Sequence, residues 1–143
     1  MSDVWKKLLL HKASHALALH APEGDYAATV GGLPEGVTLH TEPDPSLAGA
    51  YDFVHLFVAS AADVEARAGV AIAAVKRGGL LWASYPKKSS KIKTDISRDN
   101  GWKPLRDAGF EAVTQIAIDD TWSALRFRPA SEIKSLTRKF TND

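Results

Sequence analysis

Short runs of apolar residues, each closed by glycine, proline or a polar cluster, recur along this chain. The run at 51–58, Tyr-Asp-Phe-Val-His-Leu-Phe-Val, is apolar on both alternating faces, which is typical of a central strand in a parallel sheet. Shorter runs at 16–20, 37–40 and 80–85 predict three more strands. We therefore expect a sheet with a middle strand that is buried on both sides.

Apolar residues at helical spacing fill the segments between these strands. The face formed by Val64, Ala68 and Ala71 predicts a helix over 64–76, which Gly78-Gly79 would end. Shorter stripes predict a helix near the start of the chain, one after the first strand, and one capped by Ser97 or Asp99 that ends before Gly109.

The chain closes with a hairpin and one more helix. Apolar and polar residues alternate over 111–118, residues 119–121 form a turn, and 123–128 return as an antiparallel partner. A last helix from Ser131 would place three apolar side chains on one face: Ile133, Leu136 and Phe140.

This order of elements predicts an α/β fold, a three-layer Rossmann-like sandwich around a mostly parallel sheet that ends in an antiparallel hairpin. The pattern resembles the class I methyltransferase version of the Rossmann fold. In that resemblance 51–54 and 78–81 are the fourth and fifth strands, and at least one strand is missing between His40 and Tyr51.

Composition narrows the function classes. A length of 143 residues suits one α/β domain over 1–143. The absence of cysteine excludes disulfides, thiol catalysis and cysteine metal sites. A net charge of +1 gives no global field toward nucleic acid or membrane. No signal-peptide core or membrane-spanning run occurs, so we expect a cytoplasmic protein without a membrane partner.

Ligands of parallel sheets bind beyond the carboxyl ends of the strands. Four segments should meet at this edge of the sheet, which we call the carboxyl edge or rim: 21–25, 59–63, 86–95 and the hairpin turn at 119–122. Lysines beside serine hydroxyls suit a phosphate or carboxylate, and Trp122 would stack on a flat group. The predicted ligand-binding residues are Glu23, Gly24, Ser60, Ser84, Lys87, Lys88, Ser89, Ser90, Lys91, Asp119, Asp120 and Trp122.

Each of these features has a purely structural alternative. The Lys-Lys-Ser-Ser-Lys run also fits a solvated surface loop. The two aspartates would simply form the turn and pair with lysines. Trp122 would seal the end of the sheet instead of holding a ligand.

Recognised catalytic motifs are absent. The turn after the first strand, Ala21-Pro22-Glu23-Gly24-Asp25, lacks the glycine-rich pattern of a nucleotide cofactor site, although Glu42 follows the second strand. No P-loop and no Gly-x-Ser-x-Gly elbow occurs. No two of the five histidines lie on one predicted helix at the spacing of metal ligands. His55 is predicted to be a hydrogen-bonded core residue, while His20 and His40 would face the rim. We therefore predict no cofactor, no metal and no catalytic residue, and nucleic acid is an unlikely partner because one loop offers few phosphate contacts.

Several short motifs together resemble a family of small bacterial proteins described only as a domain of unknown function. The resemblance spans roughly Leu17 to Phe127, and its motifs are Ala21-Pro22-Glu23-Gly24, Leu33-Pro34-Glu35-Gly36-Val37, Leu81 to Ser89, Thr94-Asp95 and Asp119 to Leu125. It implies a degenerate methyltransferase-like Rossmann fold and brings no known activity.

Three functional hypotheses remain open. The first is a module that binds an anionic small molecule or an acidic partner at the rim, without recognisable catalysis. The second is a divergent S-adenosylmethionine-dependent methyltransferase. The third is a protein-interaction scaffold, which exposed Trp5, Trp102 or Phe140 would favour. The sequence leaves the oligomeric state and the identity of the ligand undetermined.

Overall fold

The computed structural model describes residues 4–98 and 100–132 and contains one six-stranded sheet. The strands are β1 (His15–Leu19), β2 (Thr38–His40), β3 (Tyr51–Phe57), β4 (Val75–Pro86), β5 (Phe110–Ala117) and β6 (Trp122–Pro129). Their order across the sheet is β2-β1-β3-β4-β6-β5. Strands β1 to β4 pair in parallel, and β6 runs antiparallel to both β4 and β5. The predicted fold class is confirmed.

The segment between His40 and Tyr51 contains no strand. A short 3-10 turn, Pro45–Leu47, stands there instead, and β2 is left as one edge of the sheet. This matches the expectation of a missing strand. It also leaves the region beside the carboxyl ends of β1 and β2 without a covering strand and helix.

Helices cover both faces of the sheet. They are α1 (Val4–Lys7), α2 (Tyr26–Val30), α3 (Ala61–Ala74) and α4 (Lys103–Asp107). One apolar cluster joins α3 and α4 to the first face, through buried Val64, Ala68 and Leu105. A second cluster joins α1 and α2 to the opposite face, where the indole Nε1 of Trp82 donates to the Leu8 carbonyl at 3.1 Å.

The boundary between α3 and β4 differs from the prediction. The helix ends at Ala74, and β4 starts at Val75, so Gly78-Gly79 lie inside a strand and do not end the helix. A Cβ on Gly79 would lie 3.0 Å from the Lys76 carbonyl oxygen and 3.2 Å from that of Tyr51. Gly79 therefore permits a close backbone approach, next to the register shift in the β3–β4 pairing.

The helix predicted after the lysine-rich segment is shorter than expected. It covers only Lys103–Asp107, with Pro104 in its first turn. Proline has no amide to donate and is tolerated only in that first turn, so the helix cannot begin near Ser97. Asp99 and the predicted C-terminal helix lie outside the described residues. Within those residues, no helix reaches the length and apolarity needed to cross a bilayer.

Candidate functional site

The lysine-rich segment (residues 87–95, called the lysine loop below) contacts two other parts of the carboxyl edge. Its first amide, that of Lys87, donates to the Thr121 carbonyl at 2.7 Å. Its last residue, Asp95, accepts the amide of Ala61 at the start of α3 at 2.8 Å. The expected proximity of this loop to the hairpin turn is therefore seen directly, and the loop is held at one end by that turn and at the other by α3.

The hairpin turn is built by one of its two aspartates. Asp119 accepts the amides of Thr121 and Trp122, each at 2.8 Å; both aspartates are exposed. The half-buried Trp122 ring lies edge-on to Phe57, with ring centroids 5.4 Å apart. Asp119 and Trp122 thus make the structural contacts that were the alternative to ligand binding.

A groove of about 390 Å³ runs along the lysine loop. It is lined by Lys88, Ser90, Lys91, Ile92, Lys93 and Thr94. The Ser90 hydroxyl donates to the Lys87 carbonyl at 2.7 Å and accepts the Ile92 amide at 3.3 Å, so it shapes the loop. Lys88, Ser89 and Lys91 are exposed.

The turn after β1 carries the predicted residues Glu23 and Gly24, both exposed. Its backbone is left-handed at three positions, with φ of 61° at His20, 54° at Glu23 and 69° at Gly24. Because β3 lies between β1 and β4, this turn and the lysine loop start from strands about 10 Å apart. The predicted site residues therefore fall into two groups along one edge.

Two of the predicted serines are occupied elsewhere. The Ser60 hydroxyl caps α3 by accepting the Asp63 amide at 3.2 Å. Ser84 is fully buried, and its hydroxyl lies 2.6 Å from Nε2 of His55. A serine at the end of a strand is expected at the rim, but Ser84 points into the layer between the sheet and α2.

His55 is the centre of a buried hydrogen-bonded chain, as expected for a core histidine. Its Nδ1 lies 2.8 Å from the Tyr26 hydroxyl, and its ring stacks on Phe57 at 4.4 Å. Burial lowers the pKa of His55 to about 3 and raises the pKa of Tyr26 well above its usual value. A neutral imidazole has one donor and one acceptor nitrogen, so two hydroxyl partners satisfy it. Complete burial keeps substrates away from this Ser–His pair.

A cavity of about 420 Å³ opens where β1 and β2 end. It is lined by Leu19, His20, Thr41, Glu42, Pro43, Ala66, Arg67 and Val70. Leucine, proline, alanine and valine form apolar walls, and Glu42 is exposed with no hydrogen bond or ion pair within the described part of the chain. The sequence pointed to Glu42 but not to a cavity, because the cavity exists only where the missing strand leaves β1 and α3 uncovered.

The charged groups of this cavity are partly engaged. Arg67 donates to the Phe57 carbonyl at 3.0 Å and lies 3.5 Å from the Asp63 carboxylate. Partial burial lowers the pKa of His20, and the nearby Arg67 charge adds to this effect. The Glu42 carboxylate is thus a free hydrogen-bond acceptor in the cavity, and His20 is favoured in its neutral form.

An adjoining apolar cavity of about 350 Å³ shares the walls of Pro43 and Val70. At its base the Tyr51 hydroxyl accepts the Asp44 amide at 3.1 Å and lies 2.5 Å from Nδ1 of His40. His40 is therefore paired with Tyr51 and is not a free group at the rim. In residues 4–98 and 100–132, no cluster of three potential metal ligands occurs.

The scaffold hypothesis finds no support in the aromatic side chains. Trp102 is buried against Tyr85 and Phe127, and Trp5, on α1, is half-buried and packs against the second apolar cluster. Phe140 lies outside the described residues.

Comparison with known proteins identifies the fold. No family model and no curated protein matches this chain. Solved structures do match. One is a DhpI–SAH complex, with a TM-score of 0.52 and 14% sequence identity over 80% of this chain and 76% of that chain. Another is the Methanococcus jannaschii fibrillarin pre-rRNA processing protein, with a TM-score of 0.54 and 15% identity over 81% of this chain and 66% of that chain. A third is a ribosomal protein L11 methylase from Lactobacillus delbrueckii subsp. bulgaricus, with a TM-score of 0.50 and 10% identity over 80% of this chain and 69% of that chain. At these identities the similarity establishes a methyltransferase-type Rossmann-like fold.

Proposed function

We propose that this chain binds S-adenosylmethionine in the cavity beyond β1 and β2 and is a divergent methyltransferase. The observation that carries the proposal is the position of Glu42, two residues after β2, in a cavity of about 420 Å³. Rossmann-type sites place a carboxylate after the second strand to accept the ribose hydroxyls. That a structural neighbour is a complex with SAH supports the same cofactor class.

The residues of the cavity fit the nucleoside part of this cofactor. The Glu42 carboxylate would accept the ribose hydroxyls, and the apolar surfaces of Pro43 and Val70 would face the flat base. His20, in its neutral form, offers one donor and one acceptor. When bound, the cofactor would supply a methyl group attached to a positively charged sulfur.

The turn after β1 also fits better than its sequence predicts. Left-handed backbone at His20 and Glu23 costs about 1 kcal/mol at each residue. The turn thus keeps a tight shape without the usual glycines. Unlike a dinucleotide, S-adenosylmethionine has no phosphate and carries a net positive charge, so the carboxylate of Glu23 does not repel it.

Isothermal titration calorimetry with S-adenosylmethionine and S-adenosylhomocysteine tests the proposal. The wild-type chain should bind at least one of them, and Glu42→Gln should raise the Kd by about ten-fold, because it replaces a charged acceptor of the ribose hydroxyls. Glu35→Gln is the matched control, since Glu35 is an exposed glutamate outside the cavity. No binding by the wild-type chain, or equal Kd values for the two variants, would overturn it.

A further inference from the structure

We infer that the groove of the lysine loop binds the phosphate group of a small molecule. Under the proposed function this molecule is the second substrate, the methyl acceptor, so that role rests on the methyltransferase proposal. Phosphate binding itself does not depend on it, because the groove and the Glu42 cavity share no lining residue.

The first argument is that the lysine ammonium groups of the groove have no carboxylate partner among the described residues. Lys88, Lys91 and Lys93 line one groove of about 390 Å³. Within the described residues no carboxylate forms an ion pair with any of these three lysines. Three like charges in one groove repel one another, and a multiply charged anion would relieve this repulsion.

Two carboxylates beside the lysine loop are engaged with backbone amides. Asp95 accepts the amide of Ala61 at 2.8 Å. Asp119 accepts the amides of Thr121 and Trp122. These two acids hold the loop and the hairpin turn in place, while the lining of the groove contains three lysines and no carboxylate and therefore remains positive.

The second argument is that the loop is anchored. Its first amide is bonded to Thr121 and its last side chain to Ala61. Between these points Ser90 donates to the Lys87 carbonyl and accepts the Ile92 amide. An anchored backbone keeps the bases of the lysine side chains close together, which reduces the entropy lost when they gather around one ligand.

The third argument is position. Asp95 joins the loop to Ala61, the first residue of α3, and α3 lines the Glu42 cavity from Ala66 onward. Five residues of helix span about 7.5 Å. The groove and the cavity therefore lie at the same edge of the sheet, on either side of the start of α3, an arrangement that suits two substrates of one enzyme.

The residue types favour phosphate over other anions. Lysine ammonium groups act as point charges that contact phosphate oxygens from several directions. The groove contains no arginine, the residue that matches a planar carboxylate with two parallel hydrogen bonds. Three lysines are also few for a nucleic acid, whose binding requires many phosphate contacts.

Amide chemical shifts during titration with inorganic pyrophosphate at low ionic strength test the inference. In the wild-type chain the amides of 87–95 should shift saturably. The triple variant Lys88→Gln, Lys91→Gln, Lys93→Gln should bind at least about ten-fold more weakly. The control is Lys7→Gln, Lys12→Gln, Lys76→Gln, which removes three exposed lysines elsewhere and changes net charge equally.

The two proposals fail separately in this design. Saturable pyrophosphate binding with no S-adenosylmethionine binding would leave the phosphate site intact and remove its role as an acceptor site. Equal weakening in both triple variants would show general charge attraction and overturn the inference, as would the absence of saturable shifts. Stronger shifts with citrate than with pyrophosphate would overturn the assignment to phosphate.

Discussion

The Ser84 hydroxyl lies 2.6 Å from Nε2 of His55, and both side chains are fully buried. His55 reaches Tyr26 through its other nitrogen at 2.8 Å. This row of hydrogen bonds from Ser84 through His55 to Tyr26 joins β4, β3 and α2 directly beneath the carboxyl edge. It therefore connects the strand that leads into the lysine loop with the helix that follows the turn after β1.

Removing the serine hydroxyl should destabilise the protein. Ser84→Ala leaves a nitrogen of His55 buried without a partner, and we expect the free energy of unfolding to fall by about 1 to 3 kcal/mol. Urea denaturation followed by circular dichroism measures this change. Ser89→Ala is the control, because Ser89 is an exposed residue of the lysine loop; a similar loss in both variants would contradict the role of the buried chain.

Stability should also fall as the pH is lowered, because of His55. Burial depresses its pKa in the folded protein to about 3, against 6.5 in the unfolded chain. Below pH 6.5 the unfolded state therefore binds a proton that the folded state does not, and stability is lost by about 1.4 kcal/mol per pH unit down to the folded pKa.

The contribution of His55 can be isolated between pH 6.5 and about pH 5, where most carboxylates stay ionised. The slope of unfolding free energy against pH should be smaller in His55→Phe than in the wild-type chain by up to about 1.4 kcal/mol per unit. His20→Gln serves as the comparison, since the pKa of His20 is also lowered, but at an exposed position. An unchanged slope in His55→Phe would refute the assignment.

The central position of β3 was predictable because burial on both faces leaves a nearly continuous apolar run, as in Phe53 to Phe57. The neighbouring position of the lysine loop and the hairpin turn also followed from topology. The orientation of individual polar side chains could not be predicted in this way. Ser84 and Ser90 were both predicted to line the ligand site, yet one points inward to His55 and the other bonds its own loop.

The Glu42 cavity lay beyond sequence reasoning for a related reason. The missing strand between β2 and β3 was expected, but the cavity was not, because its walls come from the end of β1, the loop after β2 and α3, which only the folded structure brings together. The start of β4 was missed because Gly78-Gly79 usually signals the end of a helix. Here Gly79 is required by the nearby carbonyls of Lys76 and Tyr51, and Tyr51 lies far from Gly79 in the sequence.

Substituting alanine for Gly79 and for Gly69 should therefore have opposite effects on the stability of the protein. Gly79→Ala would place a Cβ 3.0 Å from a backbone oxygen, and we expect a loss of about 1 to 3 kcal/mol. Gly69→Ala lies within α3, where a Cβ meets nothing within 4 Å, and should stabilise by about 0.5 to 1 kcal/mol. Thermal unfolding measures both, and unchanged stability in Gly79→Ala would contradict the close approach of the Lys76 and Tyr51 carbonyls to Gly79.

The two adjacent aspartates of the hairpin turn provide the last test. Asp119→Ala removes the acceptor for two amides, those of Thr121 and Trp122, and should cost about 1 kcal/mol of stability. Because the Lys87 amide donates to the Thr121 carbonyl at 2.7 Å, loosening the turn should also speed hydrogen exchange at Lys87. Asp120→Ala removes an equal charge at an exposed position and should change neither quantity. If both variants accelerate exchange at Lys87 alike, the effect is one of charge near the lysines, and the turn does not hold the lysine loop in place.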